Sequence, residues 1–142
     1  MSTTFSPRAT NRPRLLVIDR DSAFQRLIYR LYRPTCDVHA AFSATLGLHF
    51  AQEQAYDLVL LTTNLPKPMQ AARLFKKLTA VPGYAHVPIV GLHEAGLKPE
   101  VAADHLAAVL RKPASIEGIQ ACLSGVLGQA LPSVFSTVRP AA

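Results

Sequence analysis

A chain of 142 residues that is 49% apolar and 17% charged is long enough for one hydrophobic core and too apolar for wholesale disorder. Its apolar runs stop far short of the roughly 18 residues of a membrane span, its opening MSTTFSPRATNRPR lacks the apolar stretch of a secretory signal, and two cysteines, Cys36 and Cys122, make no disulfide framework. The expectation is a soluble, cytoplasmic, single-domain protein without membrane association, whose net charge of +6 leaves nucleic acid or an acidic protein face open as partners.

Residues 1–12 are polar and basic and read as a flexible tail, as do residues 131–142; the domain is expected over 13–130. The first apolar run, Leu15 to Ile18, has the length and continuity of a strand covered on both faces. Asp21-Ser22 then signals a helix start, and Phe24, Leu27, Ile28 and Leu31 follow at i, i+3, i+4 and i+7. Arg26, Arg30 and Arg33 lie along the same segment as a basic row, because residues four apart share a helix face. A weaker strand over 36–42 leads to a second helix starting at Ser43, and Leu58 to Leu61 forms the third strand. The next helix has Pro68 near its start and an apolar face of Ala71, Leu74, Phe75 and Leu78, within a second basic run over 67–77. A strand at 88–92, a helix with Pro99 near its start, a weak strand at 107–110 and a last helix from Ser115, with Ile116, Ile119, Leu123 and Val126 or Leu127 on one side, complete the order.

Five strands alternating with helices predict a doubly wound α/β fold: a five-stranded parallel sheet of flavodoxin type, strand order 2-1-3-4-5, joined by right-handed crossovers. Sites in such sheets lie beyond the carboxyl ends of the strands. Here those ends read Asp19-Arg20-Asp21, Thr62-Thr63-Asn64, His93-Glu94 and Arg111-Lys112-Pro113.

The landmarks LLVIDRDSAFQRLI, YDLVLLTTNLP, VPIVGLHEAG and VLRKPASIEG, in this order over about 14–127, resemble the receiver domains of bacterial two-component response regulators, the CheY-like family. In that family, two acids after strand 1 and an aspartate ending strand 3 hold Mg2+, and the latter accepts a phosphoryl group from a histidine kinase. A Thr or Ser after strand 4 and a Lys after strand 5 bind its oxygens, and an aromatic residue in strand 5 reports the switch. By this resemblance Asp19 matches the first acid, Lys112 the lysine and Pro113 the usual cis proline. Arg20 stands at the second acid, Thr62 at the phospho-acceptor, His93 at the switch hydroxyl, Val109 at the aromatic and His105 at the usual glycine before strand 5. The segment from His93 to Lys112 is about one helical turn short of the family's length.

A threonine hydroxyl is not the carboxylate that forms an acyl phosphate, and too few carboxylates are left for Mg2+, so the resemblance implies a degenerate pseudo-receiver with metal binding lost and no cofactor. Counting Asp19 against Arg20 and Lys112 gives a mildly cationic pocket, in which Arg20 either pairs with Asp19 or Asp21 in place of the metal or points to solvent. No catalytic triad, zinc spacing or phosphate-cradling glycine loop is visible, so no enzyme is expected. The leading reading is a stand-alone, phosphorylation-independent protein interaction module. Its partner, or a second copy of the chain, would dock on the fourth helix, strand 5 and last helix through Val101, His105 and Val109. The alternatives are a nucleic-acid-associated adaptor using the basic N-terminal region, or a small anionic ligand in the altered pocket.

Overall fold

The computed structural model describes residues 12–63, 71–96 and 101–130. The expected tails, apart from Arg12, and Asn64, Pro68 and Pro99 lie outside the described residues. Strands β1 (Arg14–Ile18), β2 (Asp37–Ala41), β3 (Leu58–Thr62), β4 (Ile89–Glu94) and β5 (Ala108–Lys112) form one parallel sheet in the order β2-β1-β3-β4-β5. All five strands stand where the apolar runs placed them. The carboxyl ends of β4 and β5 run two residues further than the apolar pattern, through His93-Glu94 and Arg111-Lys112.

Burial explains the difference between strong and weak strand signals. Leu15 to Ile18 of β1 and all of β3 are buried, because both faces are covered. The edge strands are less covered: β5 alternates, with Val109 and Arg111 exposed, and β2 is half-buried along Asp37 to His39 with Ala40 exposed. Alternation divides the core in two. Leu15, Val17, Leu58, Leu60, Val90, Leu92 and Leu110 face helices α1 (Ser22–Tyr32) and α4 (Ile116–Ala130), while Leu16, Ile18, Val59 and Leu61 face α2 (Ala44–Glu53) and α3 (Ala71–Ala80).

Helix starts follow the side chains read from the sequence. Asp21 Oδ1 accepts from the backbone N–H of Ala23 and Phe24, Ser43 Oγ from that of Leu46, and Ser115 Oγ from that of Gly118. Phe24 and Ile28 bury fully and Leu27 and Leu31 partly, as their spacing requires. In α4 the buried face is Ile119, Leu123 and Leu127, whereas Ile116 in the first turn remains 45% exposed. Cys36 is buried, Cys122 is half-buried, and both are free thiols whose pKa burial pushes up.

One expected element is different. Between β4 and β5 the described residues contain a single 3-10 turn, Ala103–His105, in place of a fourth crossover helix. The connection is short, and it leaves β4 through a turn in which Gly96 has φ +82°. What ties it down is Val101, 4% exposed, and Leu106, whose Cδ1 would lie 2.5 Å from a β-carbon at Gly91. A side chain on Gly91 would occupy that seat.

Candidate functional site

The carboxyl ends of β1 and β5 meet the start of α1. Asp19, the residue after β1, is 1% exposed. Its N–H donates to the Ala41 carbonyl, and its Oδ1 accepts the N–H of Asp21 at 3.0 Å, so both its backbone and its carboxylate are fixed. Gln25, one turn into α1, donates to the Asp19 carbonyl.

Lys112, the last residue of β5, reaches into this arrangement with only 9% of its side chain exposed. Its Nζ donates to Asp19 Oδ2, lies 3.2 Å from Asp21 Oδ2 and 3.9 Å from Glu94 Oε1, and sits 4.5 Å from the centroid of the Phe24 ring. The Lys112–Pro113 peptide bond that follows is cis. The backbone N–H groups of α1, first that of Phe24, together with Lys112, hold the Asp21 carboxyl below the usual carboxylate range. Because that pKa is lowered, Asp21 remains ionised above it, and its contribution to the pairing disappears only as pH falls through the lowered value.

Thr62 ends β3 on the same sheet face, 1% exposed. Thr63, also 1% exposed, turns to the opposite face and donates through Oγ1 to the Leu92 carbonyl at 3.3 Å. Arg20 is exposed, and among the described residues no hydrogen bond or ion pair engages it. Of the two roles open to Arg20, the solvent-facing one is therefore observed.

Two expectations change here. The pocket is not cationic: three carboxylates, from Asp19, Asp21 and Glu94, surround one ammonium, while Arg20 lies outside. The count from sequence took in Arg20 and left out Asp21 and Glu94. His93 also does not join Asp19 and Lys112. Since β4 continues through Glu94, alternation sends Leu92 and Glu94 toward α1 and His93 to the other face. There His93 lines a separate hollow with Thr63, Val101, Leu106, Val109 and Arg111. Glu94 and Phe24 are thus site residues that sequence reasoning did not select, although period-two counting past Leu92 would have placed Glu94 correctly.

The expected docking residues separate in a similar way. Val101 is buried, belongs to the core beside α3 and meets only the hollow next to it, so it offers no outer surface to a protein partner. His105 is exposed and stacks on Phe75, ring centroids 6.3 Å apart, and Val109 is 37% exposed on the edge strand. Arg26, Arg30 and Arg33 are exposed along α1 and its end, with Arg33 lying 5.9 Å from the ring centroid of Tyr29, itself 48% exposed. The basic row is therefore a continuous outer face.

Among the described residues, no helix is long and apolar enough to cross a membrane. No family model matches the chain, and no curated protein matches it in sequence. Solved structures do. The chemotaxis protein CheY4 of Vibrio cholerae superposes with a TM-score of 0.72 at 21% identity, covering 82% of this chain and 99% of that one. The receiver domain of a Pseudomonas aeruginosa sensor histidine kinase, which holds a magnesium ion in its active-site cleft, gives 0.70 at 19%, covering 82% and 98%. The signal receiver domain of an HD domain-containing protein from Pseudomonas fluorescens gives 0.71 at 20%, covering 88% and 93%. At these identities the likeness is one of architecture, and the architecture is that of the CheY-like response-regulator receiver.

Proposed function

We propose that this chain is a receiver-fold signalling module that acts without aspartyl phosphorylation, by docking on a protein partner. One observation carries the reading: the end of β3 presents a buried hydroxyl, Thr62, while the neighbouring Asp19 and Asp21 are both engaged by the ammonium of Lys112. An acyl phosphate requires a carboxylate nucleophile, and phosphoryl transfer on this fold requires a metal to neutralise the incoming charge. The residues present do not fit Mg2+. It needs hard oxygen ligands from adjacent carboxylates, and the approach between Asp19 and Asp21 is taken by Lys112, which supplies charge but no acceptor.

On this reading the function lies in the surface rather than in phosphoryl chemistry. The exposed part of β5, Val109 and Arg111, and the adjoining His105 form the available side of the edge strand. The test is intact-mass measurement after incubation with acetyl phosphate and Mg2+. No phosphoryl adduct is expected, and the mass should be unchanged at any incubation time. An adduct that disappears in hydroxylamine would place an acyl phosphate on this chain and overturn the reading.

A second reading rests on the exposed row Arg26, Arg30 and Arg33 beside Tyr29, which presents cations and an aromatic face to a nucleic acid. If that row is used, affinity for a nucleic acid falls steeply with salt, with a logarithmic slope of about one for each phosphate the row neutralises. Fluorescence anisotropy at several salt concentrations reads that slope directly, and a flat response assigns the row to solvent.

A further inference from the structure

The hollow on the sheet face opposite Lys112 is built in ranks across three strands. Register pairs Leu61 with Gly91 and Gly91 with Val109; two positions further along, His93 pairs with Arg111, and Thr63 bonds to β4 beside them. The inner rank is apolar and the outer rank is a hydroxyl, an imidazole and a guanidinium. Val101 and Leu106 wall the space, whose volume is about 190 Å3.

Two groups in this outer rank lack partners among the described residues. His93 Nδ1 is buried without a hydrogen bond, which is costly in a folded protein and points to a missing partner. The guanidinium of Arg111 makes no ion pair or hydrogen bond among the described residues and stands exposed at the rim. Among the described residues of the short connection between β4 and β5, the 3-10 turn Ala103–His105 lies beside the hollow, with Ala103 in its lining.

We propose that this hollow binds a small carboxylate with a compact apolar body. The planar guanidinium of Arg111 matches a carboxylate, and an Nδ1–H tautomer of His93 donates to the same group. The body of the ligand lies on Val109, Leu106 and Val101. The size is suitable, since an apolar cavity of about 150 Å3 takes up benzene. The site is separate from the Asp19–Lys112 pocket, and it shares Val109 and Arg111 with the edge of β5 proposed above for a partner, so a bound carboxylate would compete with docking there.

Benzoate is the probe, titrated into the full chain and followed by amide and histidine-ring NMR shifts, with benzamide as the neutral isostere. Saturable shifts centred on His93, Val101 and Val109 are expected in the millimolar range. Both benzamide and the Arg111→Gln variant should bind about tenfold more weakly, the loss of one charge-assisted interaction. Arg111 is exposed on an edge strand, so its substitution leaves the fold intact. Equal binding of benzoate and benzamide overturns the proposal, and so does a shift pattern centred on Arg26 to Arg33 or the absence of saturation.

Discussion

Replacing Lys112 by Met is expected to cost about 3–5 kcal/mol, because it leaves the buried Asp19 carboxylate without its counter-charge. The pair is 9% and 1% exposed on its two sides, so solvent screens it little. The half-exposed contacts to Asp21 and Glu94 add less. For a chain of this length the loss corresponds to a fall in Tm of roughly 10–15 °C, read by thermal or urea denaturation. The Asp19→Asn/Lys112→Met double variant should recover most of it, since a neutral pair of similar shape removes the uncompensated charge as well as the attraction. A single-variant cost below about 1 kcal/mol would mean that the pair is hydrated and contributes no more than a surface salt bridge.

The same variant tests what Lys112 does in place of a metal. Without the ammonium, Asp19, Asp21 and Glu94 are left facing one another, and a divalent cation becomes a favourable guest. Added Mg2+ should raise the Tm of Lys112→Met and leave that of the unmodified chain unchanged. A Mg2+ response in the unmodified chain would show that Lys112 yields its position, and the argument for a pocket closed to phosphoryl chemistry would fail.

Much of the architecture was legible because its signals are local. Continuous apolar runs in β1 and β3 mark strands covered on both faces, and Asp21, Ser43 and Ser115 mark helix starts through their own hydrogen bonds. The site was legible only in its chain positions. Asp19 and Lys112 could be found from strand ends, and the resemblance implied the cis bond at Pro113, but the side of the sheet on which His93 and Glu94 fall depends on where β4 stops. Ending the strand with its apolar run at Leu92 loses the alternation that carries Glu94 to Lys112. Among the described residues the 3-10 turn in place of a fourth crossover helix had a visible cause, the short segment, but its consequence lies in packing: Val101 is drawn into the core and a hollow opens beside Val109. Neither follows from spacing.

Gly47→Val is expected to destabilise the fold by about 2–3 kcal/mol. Ala44, Gly47 and Ala51 form the buried face of α2, and their small size lets the helix lie against β1. A β-carbon at Gly47 would stand 2.6 Å from Ile18 Cδ1, 2.8 Å from Cγ1 and 3.1 Å from Cγ2. Ile18 is fully buried between Ala41 and Leu61 in adjacent strands, so it cannot swing away, and overpacking costs up to about 3 kcal/mol. The better helix propensity of Val over Gly returns only about 0.5 kcal/mol. The Ile18→Ala change alone should cost about 2–4 kcal/mol through the cavity it leaves. Combined with Gly47→Val it should cost at least about 1 kcal/mol less than the sum, because the new side chain enters that cavity. Strict additivity in the urea midpoints would show that α2 moves away from β1 rather than clashing with it. Ile18 immediately precedes Asp19, so the amide resonance of Asp19 should shift in the single Gly47→Val variant and move back in the double, linking the packing of α2 to the geometry of the Lys112 ion pair.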